Sequence, residues 1–202
     1  MNKIFLKDII DTEQLFHISF DKFLIYACWT YISANNKQDH YIFKKLLYDL
    51  VQTYLKFKKY SKLIEVGEKL YELYLKSQSE NKDNVINLLQ NLAYAYSEVG
   101  NNKKALELQK KGYELCVENY DGESPKAIAA LNNLAIINSD LGDLQTAAIL
   151  LEKVCDTALR SLGEKHKNTL TYLRSLATVY FELEDYSKSL QVAQKAYELH
   201  CK

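Results

Sequence analysis

The segment LNNLAIINSDLG, residues 131–142, decides the fold because related segments recur at a constant distance from it. LQNLAYAYSEVG (residues 89–100) begins 42 positions before it, and LRSLATVYFELE (residues 173–184) begins 42 positions after it, with no gap in either interval. The same offset taken backwards reaches the apolar positions around Leu47 and Leu50. A fixed period of a few tens of residues is typical of proteins built from stacked repeats. The sequence therefore predicts four copies of one structural unit.

Each copy has the pattern of two amphipathic helices separated by a short turn. In the third copy Ile128, Leu131 and Leu134 are spaced so that they lie on one side of an α-helix. Gly142 follows, and glycine commonly adopts the left-handed conformation that ends a helix. A second apolar stripe then runs from Ala147 to Leu159. A hairpin of this kind cannot bury its apolar side alone, so successive hairpins must stack.

The composition agrees with a helical protein. One proline and six glycines in 202 residues are too few for the many turns of a sheet protein. Lysine plus arginine and aspartate plus glutamate both number 26, so the net charge is zero and no nucleic acid partner is expected. The longest apolar run, residues 23–34, is too short to cross a bilayer, and no membrane partner is expected.

The cysteines indicate the compartment. Cys28, Cys116, Cys155 and Cys201 are scattered and form no C-x-x-C pair. The N-terminal residues lack the basic and then apolar pattern of a signal peptide. Free thiols in a reducing compartment are therefore expected, and the predicted location is cytoplasmic.

The positions of Leu131, Leu134, Ala135 and Gly142 resemble those of the tetratricopeptide repeat. The familiar repeat of this family has about 34 residues. The 42-residue form with an LNNLA core is similar to the repeats of kinesin light chains and related bacterial proteins. The resemblance covers about residues 39–202. It implies an all-α fold, a right-handed α-solenoid of stacked helical hairpins.

The register divides the chain into an N-terminal region and four repeats. Residues 1–38 fit the register poorly, and we expect capping helices there or a decayed fifth repeat. Terminal copies are commonly degenerate in a solenoid, which agrees with Glu184 in the fourth copy at the position of Gly142. The repeats are expected at about residues 39–80, 81–122, 123–164 and 165–202.

The resemblance also implies where a partner binds. In tetratricopeptide arrays the first helix of each pair lines a groove, and the second helix lies outside it. Amides are frequent on this side, and they both donate to and accept from the main chain of an extended peptide. Asn91 and Asn133 match the asparagine that meets the bound peptide in kinesin light chains; the alternative is that they brace neighbouring helices. The groove residues predicted in this way are Tyr48, Gln52, Asn87, Gln90, Asn91, Tyr94, Asn132, Asn133, Ile136, Arg174, Thr178 and Phe181.

The predicted function is a non-catalytic scaffold or adaptor that binds a protein or peptide partner in this groove. A second interpretation is an oligomerisation or regulatory module, because Leu190, Ala193 and Tyr197 lie in a last helix with no capping helix after it. A homo-oligomer would then form through this C-terminal helix. A third interpretation is a peptide-sensing bacterial regulator.

An enzyme is not expected from this sequence. It contains no glycine-rich phosphate loop, no H-E-x-x-H and no G-x-S-x-G motif. His200 and Cys201 are adjacent, but two ligands do not make a zinc site. We therefore expect no cofactor, no metal site and no catalytic residues.

Overall fold

The computed structural model describes residues 37–77 and 81–201, with side chains from residue 43 onward in the first of these ranges. All regular secondary structure in these ranges is helical, which confirms the predicted all-α class for them. The predicted capping helices of residues 1–38 lie outside the described residues, apart from the last two positions. The helices are α1 (Lys37–Lys56), α2 (Tyr60–Leu75), α3 (Lys82–Glu98), α4 (Asn102–Asn119), α5 (Pro125–Asp140), α6 (Leu144–Ser161), α7 (Lys167–Glu182) and α8 (Tyr186–Cys201).

The chain divides into two compact units, Met1–Leu47 and Tyr48–Lys202. The described part of the first unit is the beginning of α1, in which Phe43 and Leu47 are buried. The second unit contains the remainder of α1 and helices α2 to α8. All groove residues predicted from the sequence belong to the second unit.

Helices α2 to α8 pack against one another in chain order. α3 contacts α4, α5 contacts α6 and α7 contacts α8, and these pairs are the hairpins of the second, third and fourth repeats. The hairpins also contact their successors, because α4 packs on α5 and α6 packs on α7. The apolar sides of the hairpins are thus buried against their neighbours, as stacked repeats require.

A turn with the same backbone conformation joins the two helices of each repeat. Gly100 (φ 80°) and Gly142 (φ 82°) adopt the left-handed conformation after α3 and α5, as predicted for Gly142. Lys58 (φ 55°) and Glu184 (φ 61°) adopt it at the equivalent positions of the first and fourth repeats. A residue with a Cβ atom is strained there by roughly 1–2 kcal/mol relative to the right-handed helical conformation.

Polar side chains cap the starts of several helices. The Oδ1 atoms of Asn101, Asp143 and Asp185 accept hydrogen bonds from the backbone N–H three residues later, at 3.2, 3.1 and 3.1 Å. Ser124 Oγ accepts from the backbone in the same way at 3.3 Å, directly before Pro125 opens α5. Each cap satisfies a backbone donor that the helix itself leaves unpaired.

Small residues lie where the helices of a hairpin cross. Ala93 and Ala105 in the second repeat, and Ala135 and Ala147 in the third, are fully buried with an exposed fraction of 0%. A methyl group at such a position lets two helix axes approach closely. Alanine at these positions therefore permits close packing within the hairpins of the second and third repeats.

Two tyrosines connect first helices to the hairpin before them. The Tyr96 hydroxyl donates to Glu68, and the Tyr180 hydroxyl donates to Glu152. Burial and the neighbouring Glu68 carboxylate raise the pKa of Tyr96 to about 12. Asn138 occupies the equivalent position in the third repeat, where its amide donates instead to a carbonyl of its own helix at 2.7 Å.

Candidate functional site

One side of α3, α5 and α7, which includes several of the predicted groove positions, recurs at the 42-residue offset and remains accessible. On α3, Asn87 is exposed, Asn91 is half-buried and Tyr94 is 47% exposed. Their spacing places them on one side of the helix. The equivalent positions on α5 and α7 are also exposed or half-buried. We call this set the first-helix stripe: Asn87, Asn91, Tyr94 and Glu98 on α3, Ala129, Asn133, Ile136 and Asp140 on α5, and Thr171, Ser175, Thr178 and Glu182 on α7.

The amides of the first-helix stripe are not used inside the described part of the chain. In residues 37–77 and 81–201, the side chains of Asn87, Asn91 and Asn133 form no hydrogen bond with the protein. The bracing role considered for Asn91 and Asn133 therefore has no hydrogen bond to support it there. Their donors and acceptors remain available to another molecule.

The row beside the stripe is not uniformly accessible. Gln90 is half-buried, Asn132 is only 9% exposed and Arg174 is exposed. The Oδ1 atom of Asn132 is buried and lacks a hydrogen-bond partner among the described residues. Asn132 therefore presents less of its side chain to a partner than its predicted groove position implies.

Aromatic side chains flank the stripe in two places. The rings of Tyr94 and Tyr60 meet edge to face with centroids 5.8 Å apart. Hydrogen bonding to Tyr94, followed by burial and the Glu98 carboxylate, raises the pKa of Tyr60 above its ordinary value. Phe181, which is 61% exposed, makes a similar contact with Tyr186 at 5.4 Å. These pairs offer rigid apolar surface next to polar groups.

The first repeat contributes two further predicted groove residues. Tyr48 and Gln52 lie on α1, one helical turn apart, and both are half-buried. Gln52 occupies the register position of Tyr94, and Tyr48 that of Gln90. Both side chains therefore keep some accessible surface at the α1 end of the second unit.

A row of carboxylates forms one end of the stripe. Glu98, Asp140 and Glu182 occupy equivalent positions in three successive repeats. Ser139 Oγ donates to Glu182 Oε2 at 3.4 Å, which links the ends of α5 and α7. Burial, followed by the negative charge of Glu182, raises the pKa of Asp140. This end of the stripe therefore carries an acidic potential.

Sequence reasoning did not identify Tyr60 and Tyr186 as neighbours of the groove. Both lie at the start of second helices, which the resemblance placed outside it. The equivalent residues in the other two repeats are Asn102 and Leu144, so no periodic signal marked an aromatic position. Their contacts with Tyr94 and Phe181 depend on the turn geometry, which only the structure provides.

The described residues hold no group of three or more histidine, cysteine, aspartate or glutamate side chains that could bind a metal ion. Burial raises the pKa of the Cys155 thiol to about 12 and also raises that of Cys116. Neither thiol is therefore activated as a nucleophile. In the helices of residues 37–77 and 81–201, no stretch is long and apolar enough to span a membrane.

Comparison with known sequences identifies one family. The profile of the tetratricopeptide repeat family matches residues 99–160 and 126–202, which together make up just over half of the chain. Among curated proteins, no sequence matches this chain significantly.

Comparison with solved structures identifies proteins of the same architecture. BtubC from P. vanneervenii superposes with a TM-score of 0.69 at 18% identity, over 87% of this chain and 69% of that chain. The nearly identical TPR-like repeats assigned to a kinesin light chain of Podosopora anserina superpose with a TM-score of 0.68 at 20% identity, over 78% and 74%. The Rap conjugation gene regulator of plasmid pLS20, solved in complex with the Phr* peptide, gives a TM-score of 0.65 at 17% identity, over 79% and 43%. These matches confirm the predicted right-handed α-solenoid of stacked hairpins.

Proposed function

The chain belongs to the tetratricopeptide repeat family, and from this premise we propose that it is a non-catalytic scaffold that binds a peptide segment of a partner protein along the first-helix stripe. The observation that carries the proposal is the set of accessible amides that form no hydrogen bond with other described residues, Asn87, Asn91 and Asn133. Their recurrence on successive first helices suits a ligand that extends across several repeats.

The chemistry of the stripe fits an extended peptide. A peptide main chain presents one donor and one acceptor per residue, and an amide side chain complements both. Tyr94 and Phe181 would supply apolar contacts for the peptide side chains, and aromatic residues of this kind commonly dominate binding energy. The Rap regulator of pLS20 provides an example of the same fold with a peptide bound.

The paired variant Asn91→Ala with Asn133→Ala tests the proposal. Loss of two amides should weaken partner binding by about tenfold, because each forms hydrogen bonds only in the complex. The melting temperature should stay within about 1 °C of the wild type, since neither side chain forms a hydrogen bond with other described residues. Affinity capture from native lysate, quantified by mass spectrometry, measures partner binding. Calorimetry measures the melting temperature.

The matched control replaces two exposed amides of second helices, Gln145→Ala with Gln191→Ala. The control should capture the partner as the wild type does. Equal capture by wild type, control and paired asparagine variant would place the partner on another surface and contradict the proposal.

A further inference from the structure

A second accessible groove lies between α7 and α8, on the last hairpin. It has a volume of about 560 Å³. We call it the terminal groove, and its lining includes Lys167, Leu170 and Arg174 of α7 and Ala193, Tyr197 and His200 of α8. One side of α7 and one side of α8 therefore form its two walls.

The same face of the preceding hairpin is covered. Tyr197 is 69% exposed, whereas Cys155, its equivalent on α6, is 3% exposed. Leu190 is 68% exposed, whereas Ala148 at the equivalent position is 5% exposed. The difference arises because α7 packs on α6. The terminal groove thus has the form of a site that a single α-helix fills elsewhere in this chain.

The terminal groove differs from the covered face in charge. Lys167 and Arg174 line it, and the equivalent residues of the third repeat, Pro125 and Asn132, are uncharged. Among the described residues, no carboxylate lines the groove. Within the described residues, neither Lys167 nor Arg174 takes part in an ion pair. Its cations are therefore available to carboxylates of another molecule.

We propose that the terminal groove binds an acidic amphipathic α-helix of a partner protein. Such a helix would place an apolar side against Leu170, Ala193 and Tyr197, and its carboxylates beside Lys167 and Arg174. A second copy of this chain, docked face to face through the same groove, would bring the two sets of cations together, which disfavours that arrangement. Thr171 and Thr178 belong to both surfaces, but the proposal rests on Lys167, Arg174 and Tyr197, which are not part of the first-helix stripe.

Peptides derived from α7 are suitable probes because α7 fills the equivalent site inside the chain. The acidic probe is residues 167–182 with Asn168→Glu and Ser175→Glu, and the basic probe is the same segment with lysine at both positions. These positions flank the buried side of α7, so their side chains would lie at the edge of the terminal groove. Both keep the apolar residues of α7 and differ in charge. A scrambled version of the acidic probe keeps the composition and removes the helical spacing of the apolar side.

Fluorescence anisotropy of labelled probes with the full chain measures binding. The acidic probe should bind at least about tenfold more tightly than the basic probe and the scrambled probe. The protein variant Lys167→Glu with Arg174→Glu should reverse the preference between the acidic and basic probes. The matched control, Lys110→Glu with Lys153→Glu, changes two exposed lysines outside the groove and should leave the preference unchanged.

Tyr197→Ser provides a variant that keeps the fold, because the ring is mostly exposed. This substitution should weaken binding of the acidic probe by about fivefold or more, because an apolar contact is lost. Equal binding of all probes, no binding, or a preference that the charge reversal at Lys167 and Arg174 leaves unchanged would overturn the proposal. A wild-type dimer that dissociates in Tyr197→Ser, observed by analytical ultracentrifugation, would also overturn it in favour of a second copy.

Discussion

At the scale of single residues, the ionised carboxylate of Asp140 destabilises the folded protein because of its position beside Glu182. Burial and the nearby negative charge raise its pKa, so the ionised form is less stable in the folded protein than in the unfolded chain. The folded state therefore binds a proton more readily than the unfolded state. This unfavourable contribution is absent at acidic pH and develops as the pH rises through the folded-state pKa.

Asp140→Asn should therefore stabilise the protein near neutral pH. We expect the melting temperature to rise by about 1–2 °C at about pH 7, and the gain to shrink as the pH falls through the folded-state pKa of the wild-type carboxyl. Thermal unfolding of both proteins across this range measures the effect. Asp156→Asn, which removes an exposed carboxylate of α6, is the control and should show no such pH dependence. A gain that is constant with pH would contradict the electrostatic explanation.

The sequence predicted Asn91 and Asn133 of the first-helix stripe as groove residues, and that role stays a prediction. Both side chains are half-buried. Asn132, one position away, is buried although its sequence context is as polar as theirs. Its exposure depends on the hairpins packed around it, and this information is not contained in its own repeat.

At the scale of the elements, the constant offset of 42 residues predicted the helical hairpins and the turns within them. The left-handed turn expected at Gly142 is present, and it recurs in the other repeats. The partners of Tyr96 and Tyr180 could not be predicted, because Glu68 and Glu152 recur in alternate repeats only. The 42-residue period marks positions that all copies share. It gives no signal for a contact that occurs only in alternate repeats.

The turns offer a matched pair of substitutions with opposite effects. Gly142→Ala places a Cβ atom at φ 82° and should destabilise the protein by about 1 kcal/mol. Glu184→Gly removes the Cβ atom from a residue at φ 61° and should stabilise it by up to about 1 kcal/mol, because relief of strain exceeds the added entropy of the unfolded chain. Urea unfolding of both variants measures the changes. Destabilisation by Glu184→Gly would show that its turn is not strained.

At the scale of the whole molecule, the fold follows from the need of each hairpin to bury its apolar side against the next. Stacking in chain order leaves the first helices with one accessible side, and the amides on that side have no partner in the described residues. The fold class could be predicted because it depends on a repeated pattern. The nature of the partner could not be predicted, because this scaffold binds many different ligands.

Site-specific photocrosslinking determines whether a partner polypeptide lies along the first-helix stripe. A photoreactive amino acid is placed at Tyr94 or Ile136, on successive first helices, or at Ile149, which is 64% exposed on α6. After irradiation in native lysate, mass spectrometry identifies the crosslinked segments. We predict that Tyr94 and Ile136 crosslink to neighbouring residues of one short partner segment and that Ile149 does not. Crosslinks from Ile149 alone, or from Tyr94 and Ile136 to unrelated segments, would contradict the account.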